Sequence, residues 1–377
     1  MSIYIKGKHY LLRFRRYISY SARKYGFTKN SRNNLEIIRQ YQDTVIDFKK
    51  SLIQMAAFTG YPISHFIDSY KNKTVKTVRI LDITLQDNDP ILICAVKDDL
   101  NRVKKQLEHH RKIGVKHFAY IDNHSTDGTF EWLKNQNDVS LFTVTEQFNS
   151  TIKNAWRRQV TDIFGYNRWY LILDSDEFFT YPGIEKKPIY DYIDFLEKKN
   201  IKYAHTPMID MYANNHLFTG HPDDFVDDYC FFDSDSYIVT KNFWSFSIMG
   251  GPRGRLFKEN NQDRNPRLSK YSLLKAQTSD LIGTHNNYPL KRNFNTKYAV
   301  AFLLHYKFLP NDDVKYRKII EHGNYSKESS EYKLFMKTHA QNPDLSFYYE
   351  KTVQLNSSLD LLKLSIADRK FFDCFLN

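Results

Sequence analysis

The chain has 377 residues, of which 41% are apolar, 26% charged and 16% aromatic. This composition is typical of a folded protein and excludes an intrinsically disordered chain, and no run of 18 apolar residues indicates a transmembrane helix. The formal net charge is +12, and nine of the positive charges lie in residues 1–35, which contain no acid.

The basic segment 1–35 also carries aromatic residues throughout its length. A basic, aromatic terminus is typical of a segment attracted to anionic lipids. Nucleic acid is the competing polyanion, and a solvated terminus without a ligand is the third interpretation. We favour the membrane surface and expect no nucleic acid. Three cysteines without metal-ligand spacing and the lack of a signal peptide indicate a cytoplasmic protein, peripheral on the inner face of the membrane.

Residues 35–57 carry apolar side chains three and four positions apart, which predicts an amphipathic helix that packs on the rest of the chain. A polar stretch follows, and the pattern changes from residue 78 onward. We therefore assign residues 1–77 to an N-terminal helical extension, 78–345 to one large domain and 346–377 to a C-terminal helical tail.

From residue 78, short apolar runs alternate with helical stripes. The runs predict four strands, at Ile91–Val96, His117–Asp122, Val139–Val144 and Arg168–Leu173. The stripes between them predict helices, with capping residues before them and glycines after them. Alternating strands and helices indicate an α/β fold with a mostly parallel sheet flanked by helices. Ligands bind such sheets at the carboxyl ends of the strands.

The regular alternation ends after residue 188. We expect a helix from Pro188 to Lys199, a strand over Lys202–Thr206 and a buried strand within Tyr298–Phe308. Residues 207–297 are rich in Asp, Asn, Tyr and Gly, and we interpret them as a loop-rich acceptor region.

Two carboxylates follow the fourth predicted strand directly, in Asp174-Ser175-Asp176. Carboxylates at this spacing can hold Mg²⁺ or Mn²⁺ and leave coordination positions open for the phosphates of a nucleotide. The same spacing occurs at Asp87–Asp89 and Asp233–Asp235, but neither pair ends a strand of the alternating series. A capped turn without a ligand is the structural alternative. Position in the fold favours Asp174 and Asp176 as metal ligands.

Five other residues extend this candidate site. Asp122 ends the second strand, where it can accept from a base or a ribose, and Asp127 of the same motif can do so or cap the next helix. Arg253 and Arg255, in GGPRGR, can clamp a diphosphate or lie solvated in a surface turn. His305 lies near the end of a buried strand, where it can complete a metal site or be a core histidine.

Six runs in chain order resemble bacterial family-2-like glycosyltransferases with a GT-A (Rossmann-like) fold: ICAVKDD (93–99), HHRKIGV (109–115), YIDNHSTDGT (120–129), WYLILDSDEF (169–178), GGPRGRLF (250–257) and LLHYKF (303–308). The resemblance covers about residues 90–340 and is greatest to the subgroup with a DxDEF motif. It implies a nucleotide-sugar donor, which we expect to be a UDP-sugar, and Mn²⁺ or Mg²⁺ held by Asp174, Asp176 and His305. Asp174 also serves the donor diphosphate, and Asp122 contacts the donor base or ribose.

The resemblance further implies transfer of the sugar to a glycan or lipid-linked acceptor in surface polysaccharide synthesis. Many family members carry their catalytic aspartate in a Glu-Asp pair, which this chain lacks. Asp210 and Asp263 are the remaining candidates for the base. Two other functions are open: a nucleotidyl- or sugar-phosphate transferase, and a non-catalytic basic protein that binds membrane or RNA.

Overall fold

A six-stranded sheet forms the centre of the structure, a computed structural model that describes residues 73–241, 246–257, 265–283, 285–288, 298–323 and 326–377 and positions 51, 52, 55, 56 and 70. The predictions for residues 1–35, for most of the helix at 35–57 and for Asp263 fall outside these residues.

The strands are β1 Lys76–Arg79, β2 Ile91–Val96, β3 His117–Asp122, β4 Val139–Thr143, β5 Arg168–Leu173, β6 Glu177–Thr180, β7 Met208–Met211, β8 Phe231–Asp233, β9 Tyr237–Lys241, β10 Phe246–Gly250, β11 Leu273–Ala276, β12 Leu281–Ile282, β13 Asn287–Tyr288, β14 Phe302–Tyr306 and β15 Thr352–Gln354. The helices are α1 Leu100–Lys112, α2 Thr129–Lys134, α3 Ser150–Phe164, α4 Ile189–Lys198, α5 Phe225–Asp228, α6 Gly251–Leu256, α7 Asp312–His322, α8 Ser326–Gln341 and α9 Arg369–Leu376, with a 3₁₀ helix at Ser358–Lys363.

The central sheet has the strand order β1-β4-β3-β2-β5-β11. Strands β2 to β5 are parallel, while β1 and β11 pair antiparallel at the two edges. Helices α1, α2 and α3 connect the parallel strands in chain order. The predicted α/β fold with a mostly parallel sheet is therefore confirmed. The predicted boundary at residues 77 and 78 falls inside β1.

The two faces of the sheet are covered by different helices. Side chains of β2 alternate between two apolar clusters: Leu92 lies with Val103 of α1, and Ile93 lies with Trp156 of α3. Each of these four side chains is almost fully buried. Strands buried on both faces carry continuous apolar runs, which is why β2 to β5 were recognisable from sequence.

A second sheet extends the carboxyl edge of the first. Its order is β6-β14-β7, with β6 antiparallel and β7 parallel to β14. The register sets His305 of β14 opposite Glu177 on one side and opposite Asp210 on the other. This sheet therefore places three ionisable residues from distant parts of the chain, Glu177, His305 and Asp210, side by side on neighbouring strands.

The prediction of a strand over Lys202–Thr206 is wrong, and the strand in this region, β7, begins at Met208. Within 202–206 only Tyr203 forms an isolated bridge, to Leu274. The amide of Thr206 bonds outside β11, to the carbonyl of Lys270, so no regular ladder forms. The buried strand expected within Tyr298–Phe308 is confirmed as β14.

The C-terminal tail packs on the rest of the structure. Strand β15 pairs with β8, and Phe372 and Phe375 of α9 lie in the main apolar cluster. None of the helices in the described part of the chain is both long and apolar enough to cross a bilayer.

Buried histidines make stability depend on pH, and His205 is a clear case. Its ring is fully buried, stacks on Tyr271 and lies 2.9 Å from Ser269 Oγ. Burial lowers the pKa of His205 to about 4. Above pH 6.5 the imidazole is neutral in both states, but between pH 6.5 and 4 only the unfolded chain takes up the proton.

We therefore expect the free energy of unfolding to fall as pH decreases through this window, by on the order of 3 kcal/mol for His205. Urea unfolding at several pH values checks this, with His205→Gln as the variant without the titrating group. The difference in stability between wild type and variant is expected to shrink toward pH 4. Parallel curves for the two proteins would contradict the assignment.

Candidate functional site

Residues 174–177, which we call the acidic turn, lie where β5 ends at the carboxyl edge of the central sheet. One carboxylate oxygen from each of Asp174, Asp176 and Glu177 lies within 4.8 Å of the others. Two hydrogen bonds close the turn. The Glu177 amide donates to the Asp174 carbonyl, and the Asp174 amide donates to the side-chain oxygen Glu177 Oε2. Clustered carboxylate oxygens are the ligand type that Mg²⁺ and Mn²⁺ prefer.

Three buried basic side chains, which we call the basic trio, surround Asp174. Lys153 Nζ and Arg157 Nη2 lie 2.7 and 2.6 Å from Asp174 Oδ1, and Lys270 Nζ lies 3.3 Å from Oδ2. Lys270 also pairs with Glu177. Burial by itself would raise the pKa of Asp174, but the trio holds it well below its usual range. Asp174 is therefore ionised, and its negative charge is balanced by basic side chains of the same chain.

The residues of the basic trio were not predicted from the sequence. Lys153 and Arg157 are four residues apart on α3, so both point toward the end of β5. They lie beside Trp156 on the buried side of the helix. Basic residues at helical spacing on an apolar face were the available signal. Lys270 comes from the segment before β11, and no local pattern relates it to the turn.

His305 lies beside the acidic turn, between two carboxylates. Its Nε2 lies 3.3 Å from Asp176 Oδ2, and its Nδ1 lies 2.6 Å from Asp210 Oδ1. Burial would lower the pKa of His305, but the two carboxylates raise it above its ordinary value. The favoured form is therefore the imidazolium, which donates at both nitrogens. Coordination of a metal by His305 requires loss of the proton at Nε2.

Asp210 is buried in the second sheet with both oxygens occupied. Oδ1 faces His305, and Oδ2 accepts from Arg253 Nε at 2.8 Å. Burial would raise the pKa of Asp210, but Arg253 and His305 hold it below its usual range. A buried carboxylate with these partners is a weak base, and its contacts make it an orienting partner of His305. The second candidate base, Asp263, lies outside the described residues.

The GGPRGR segment forms the short helix α6 directly after β10. Gly250 has φ 99°, and a Cβ there would lie 2.7 Å from the Ser236 carbonyl oxygen, so this tight junction requires glycine. Arg253 is buried and pairs with Asp210 and, at 2.8 Å, with Glu331. Both arginines of the segment are thus engaged by carboxylates of the same chain, since Arg255 pairs with the buried Asp233.

The contacts of Arg255 predict a structural effect on substitution. Its Nε and Nη2 donate to the two oxygens of Asp233 at 3.1 Å each, and its guanidinium lies 3.8 Å from the centre of the Tyr349 ring. Lysine keeps the charge but loses the two-pronged geometry. We expect Arg255→Lys to lower the free energy of unfolding by about 1–2 kcal/mol, with turnover within about twofold of wild type.

The matched control is Arg111→Lys, because Arg111 makes a similar fork to Asp138 at a half-exposed site. There we expect less than about 0.5 kcal/mol. Chemical denaturation and steady-state kinetics check both variants. A large loss of turnover in Arg255→Lys with unchanged stability would instead indicate that Arg255 contacts the donor diphosphate.

The two aspartates after β3 differ in what their oxygens contact. Asp122 is almost fully buried; its Oδ2 accepts from the Ser125 amide at 3.1 Å, while its Oδ1 has no hydrogen-bond partner in the described structure. Asp127 accepts from the Leu100 amide and from the Thr129 amide and hydroxyl. Asp127 therefore binds the first backbone amides of α1 and α2, whereas Asp122 keeps one buried carboxylate oxygen without a hydrogen-bond partner among the described residues.

No family model and no curated protein matches the sequence. Several solved structures are similar over part of the chain, and three of them follow. A mannosyltransferase from Pyrobaculum calidifontis in complex with GDP-Man and Mn²⁺ has 15% identity and a TM-score of 0.23, over 48% of this chain and 50% of that one. S. aureus TarS 1–349 has 11% identity and a TM-score of 0.28, over 67% and 72%. HddC from Yersinia pseudotuberculosis has 11% identity and a TM-score of 0.27, over 58% and 90%.

The chain thus spans about half the length of the mannosyltransferase. At these identities and TM-scores, the function has to be inferred from the site itself.

Proposed function

We propose that the protein is a metal-dependent glycosyltransferase that moves a sugar from a nucleotide sugar, with UDP as the expected nucleotide, to a glycan or lipid-linked acceptor. One observation carries the proposal: clustered carboxylates and three buried bases lie together at the carboxyl end of a parallel strand. Ligands bind open α/β sheets at this edge. The combination suits a diphosphate accompanied by a divalent cation.

The residues of the acidic turn fit a cation. Asp176 Oδ2 faces His305, while its Oδ1 has no protein partner among the described residues. A bound cation supplies positive charge that stabilises a leaving diphosphate. The three negative charges of the acidic turn are already matched in number by the three positive charges of the basic trio. A cation alone therefore adds uncompensated positive charge. A cation that arrives with a diphosphate adds charges of both signs. The site therefore favours the pair over either component.

Protein groups supply the remaining functions. Lys153, Arg157 and Lys270 hold fixed positive charge beside the diphosphate position, where a water-poor environment strengthens their effect. The unpaired Asp122 Oδ1 is an acceptor for a ribose hydroxyl or a base imide. Asp210 holds His305 against Asp176. We keep Asp122 as the residue that contacts the donor, and we assign to Asp127 the capping role that its contacts support.

Cooperative binding of metal and nucleotide tests the proposal. We expect calorimetry with UDP and GDP to show binding of one of them in the presence of Mn²⁺ and at least tenfold weaker binding with excess chelator. By linkage, the nucleotide must tighten Mn²⁺ by the same factor. Equal nucleotide affinity with and without Mn²⁺ would rule out a metal-dependent donor site.

We further propose that the basic segment 1–35 contacts anionic lipid on the inner face of the membrane. It holds nine basic residues and no acid. Sedimentation with anionic vesicles should decrease on deletion of residues 1–35 and with rising salt, because exposed charges are screened. Unchanged sedimentation after the deletion would move the lipid contact elsewhere.

A further inference from the structure

A buried cluster of charges lies behind the acidic turn, outside the residues assigned so far. Asp99, at the start of α1, pairs through Oδ1 with Arg102 and with Lys315 of α7, at 3.0 Å each. Arg102 also pairs with Asp312, the first residue of α7. Asp99, Arg102 and Asp312 are almost fully buried. We call these four residues the Asp99 cluster.

The Asp99 cluster reaches the acidic turn by two routes. The hydroxyl of Ser175, the residue between the two aspartates, donates to Asp99 Oδ2. Arg102 Nε donates to the Tyr306 carbonyl at 3.0 Å, and the Tyr306 amide donates to the Asp176 carbonyl at 2.9 Å. The turn is thus fastened at its middle residue and at Asp176. Both contacts start at α1, from Asp99 at its N-terminus and from Arg102 within it, and α1 supplies no ligand oxygen.

There is a physical reason to hold the acidic turn in one conformation. Asp174 and Asp176 carry like charges and repel each other, so a free turn would let the carboxylates separate. Burial would raise the pKa of Asp99, but Lys315 and Arg102 hold it below its usual range. Asp99 is therefore an ionised acceptor, and hydrogen bonds to ionised acceptors are about twice as strong as neutral ones.

We propose that Asp99 is a positioning residue: through the Ser175 hydroxyl it fixes the turn that carries Asp174 and Asp176 and thereby sets the affinity for the divalent cation. This inference rests on the proposed function, because it assigns a role within the same metal site. It adds residues of α1 and α7 to that site and makes the hydroxyl at position 175 a requirement.

Ser175→Ala tests the proposal, since it removes one hydroxyl and leaves the buried ion pairs of the Asp99 cluster intact. We expect Mn²⁺ binding in the presence of saturating UDP or GDP, followed by electron paramagnetic resonance, to be about tenfold weaker, as for loss of one hydrogen bond to a charged group. Ser175→Thr keeps a hydroxyl and should restore affinity. Thr338→Ala, which removes a hydroxyl bonded to the Leu334 carbonyl in α8, is the matched control.

A kinetic readout separates positioning from general damage. The Mn²⁺ concentration for half-maximal activity should rise about tenfold in Ser175→Ala, while turnover at saturating Mn²⁺ returns to near the wild-type value, because uniform binding has been lost. The thermal midpoint should stay close to that of Thr338→Ala. Asp99→Asn, which weakens the acceptor, should shift the Mn²⁺ dependence in the same direction.

The outcomes are distinguishable. If Asp176→Asn abolishes Mn²⁺ binding but Ser175→Ala binds Mn²⁺ like wild type, the positioning role is overturned and the proposed function stands. If wild-type protein binds no Mn²⁺ in the presence of either UDP or GDP, both are overturned. If Ser175→Thr fails to restore affinity while its fold is intact, the hydroxyl contact is not the cause.

Discussion

Asp176→Asn is expected to lower kcat/KM for the donor about 10²- to 10³-fold, the usual cost of removing one charge-stabilising group from an active site. Asp176 offers the oxygen without a protein partner, so asparagine replaces the ionised ligand by a neutral one. Because Asp176 contacts a single ionic side chain, His305, and His305 keeps its second partner Asp210, stability should fall by only about 1–2 kcal/mol. Steady-state kinetics with Mn²⁺ and urea unfolding measure the two effects.

The matched control is Asp235→Asn, in the Asp-x-Asp triplet of the loop-rich region. Asp235 is exposed and pairs with the exposed Lys351. This variant should keep activity within about twofold of wild type, as is usual for surface substitutions. Near-normal turnover in Asp176→Asn would contradict the assigned metal role of the acidic turn.

Asp174→Asn is expected to cost stability as well as activity. The change leaves Lys153, Arg157 and Lys270 without the carboxylate that all three contact. Removing one partner from a buried ion pair costs about 3–5 kcal/mol. Since Asp174 is partly exposed and Lys270 keeps Glu177, we expect the lower end of this range, about 3 kcal/mol.

Urea unfolding of the Asp174→Asn and Asp176→Asn variants side by side measures the contrast, because the same chemical change is made two residues apart. The Asp174 variant should also gain stability as pH rises from the lowered pKa of Lys153 toward its ordinary value of 10.5, because burial lowers the pKa of Lys153 in the folded state. Equal stability of the two variants would show that the basic trio does not depend on Asp174.

Elements with a local sequence signal were predictable. Strands β2, β3 and β5 lie at the predicted residues because strands buried on both faces carry unbroken apolar runs. Chain order then places Asp122 and Asp174, each at the end of a parallel strand, at one edge of the sheet. The strand predicted at 202–206 does not form, because this segment makes only an isolated bridge, from Tyr203 to Leu274, and no regular ladder.

The partners of the site residues were not predictable from local pattern. Asp210 and Arg253 meet only because the short helix α6 packs against β7, and Asp233 meets Arg255 across a separation of 22 residues in sequence. An arginine that clamps a diphosphate and one that pairs with a buried aspartate look alike in sequence. What separates them is the fold of the intervening segments.

The central claim is tested most directly by the products formed from a panel of nucleotide sugars in the presence of Mn²⁺. The account predicts that wild-type protein releases a nucleoside diphosphate from one of them, that chelator stops the release, and that Asp176→Asn lacks it. Release of a nucleoside monophosphate with a sugar phosphate, or no Mn²⁺-dependent turnover of any nucleotide sugar, would contradict glycosyl transfer at the acidic turn.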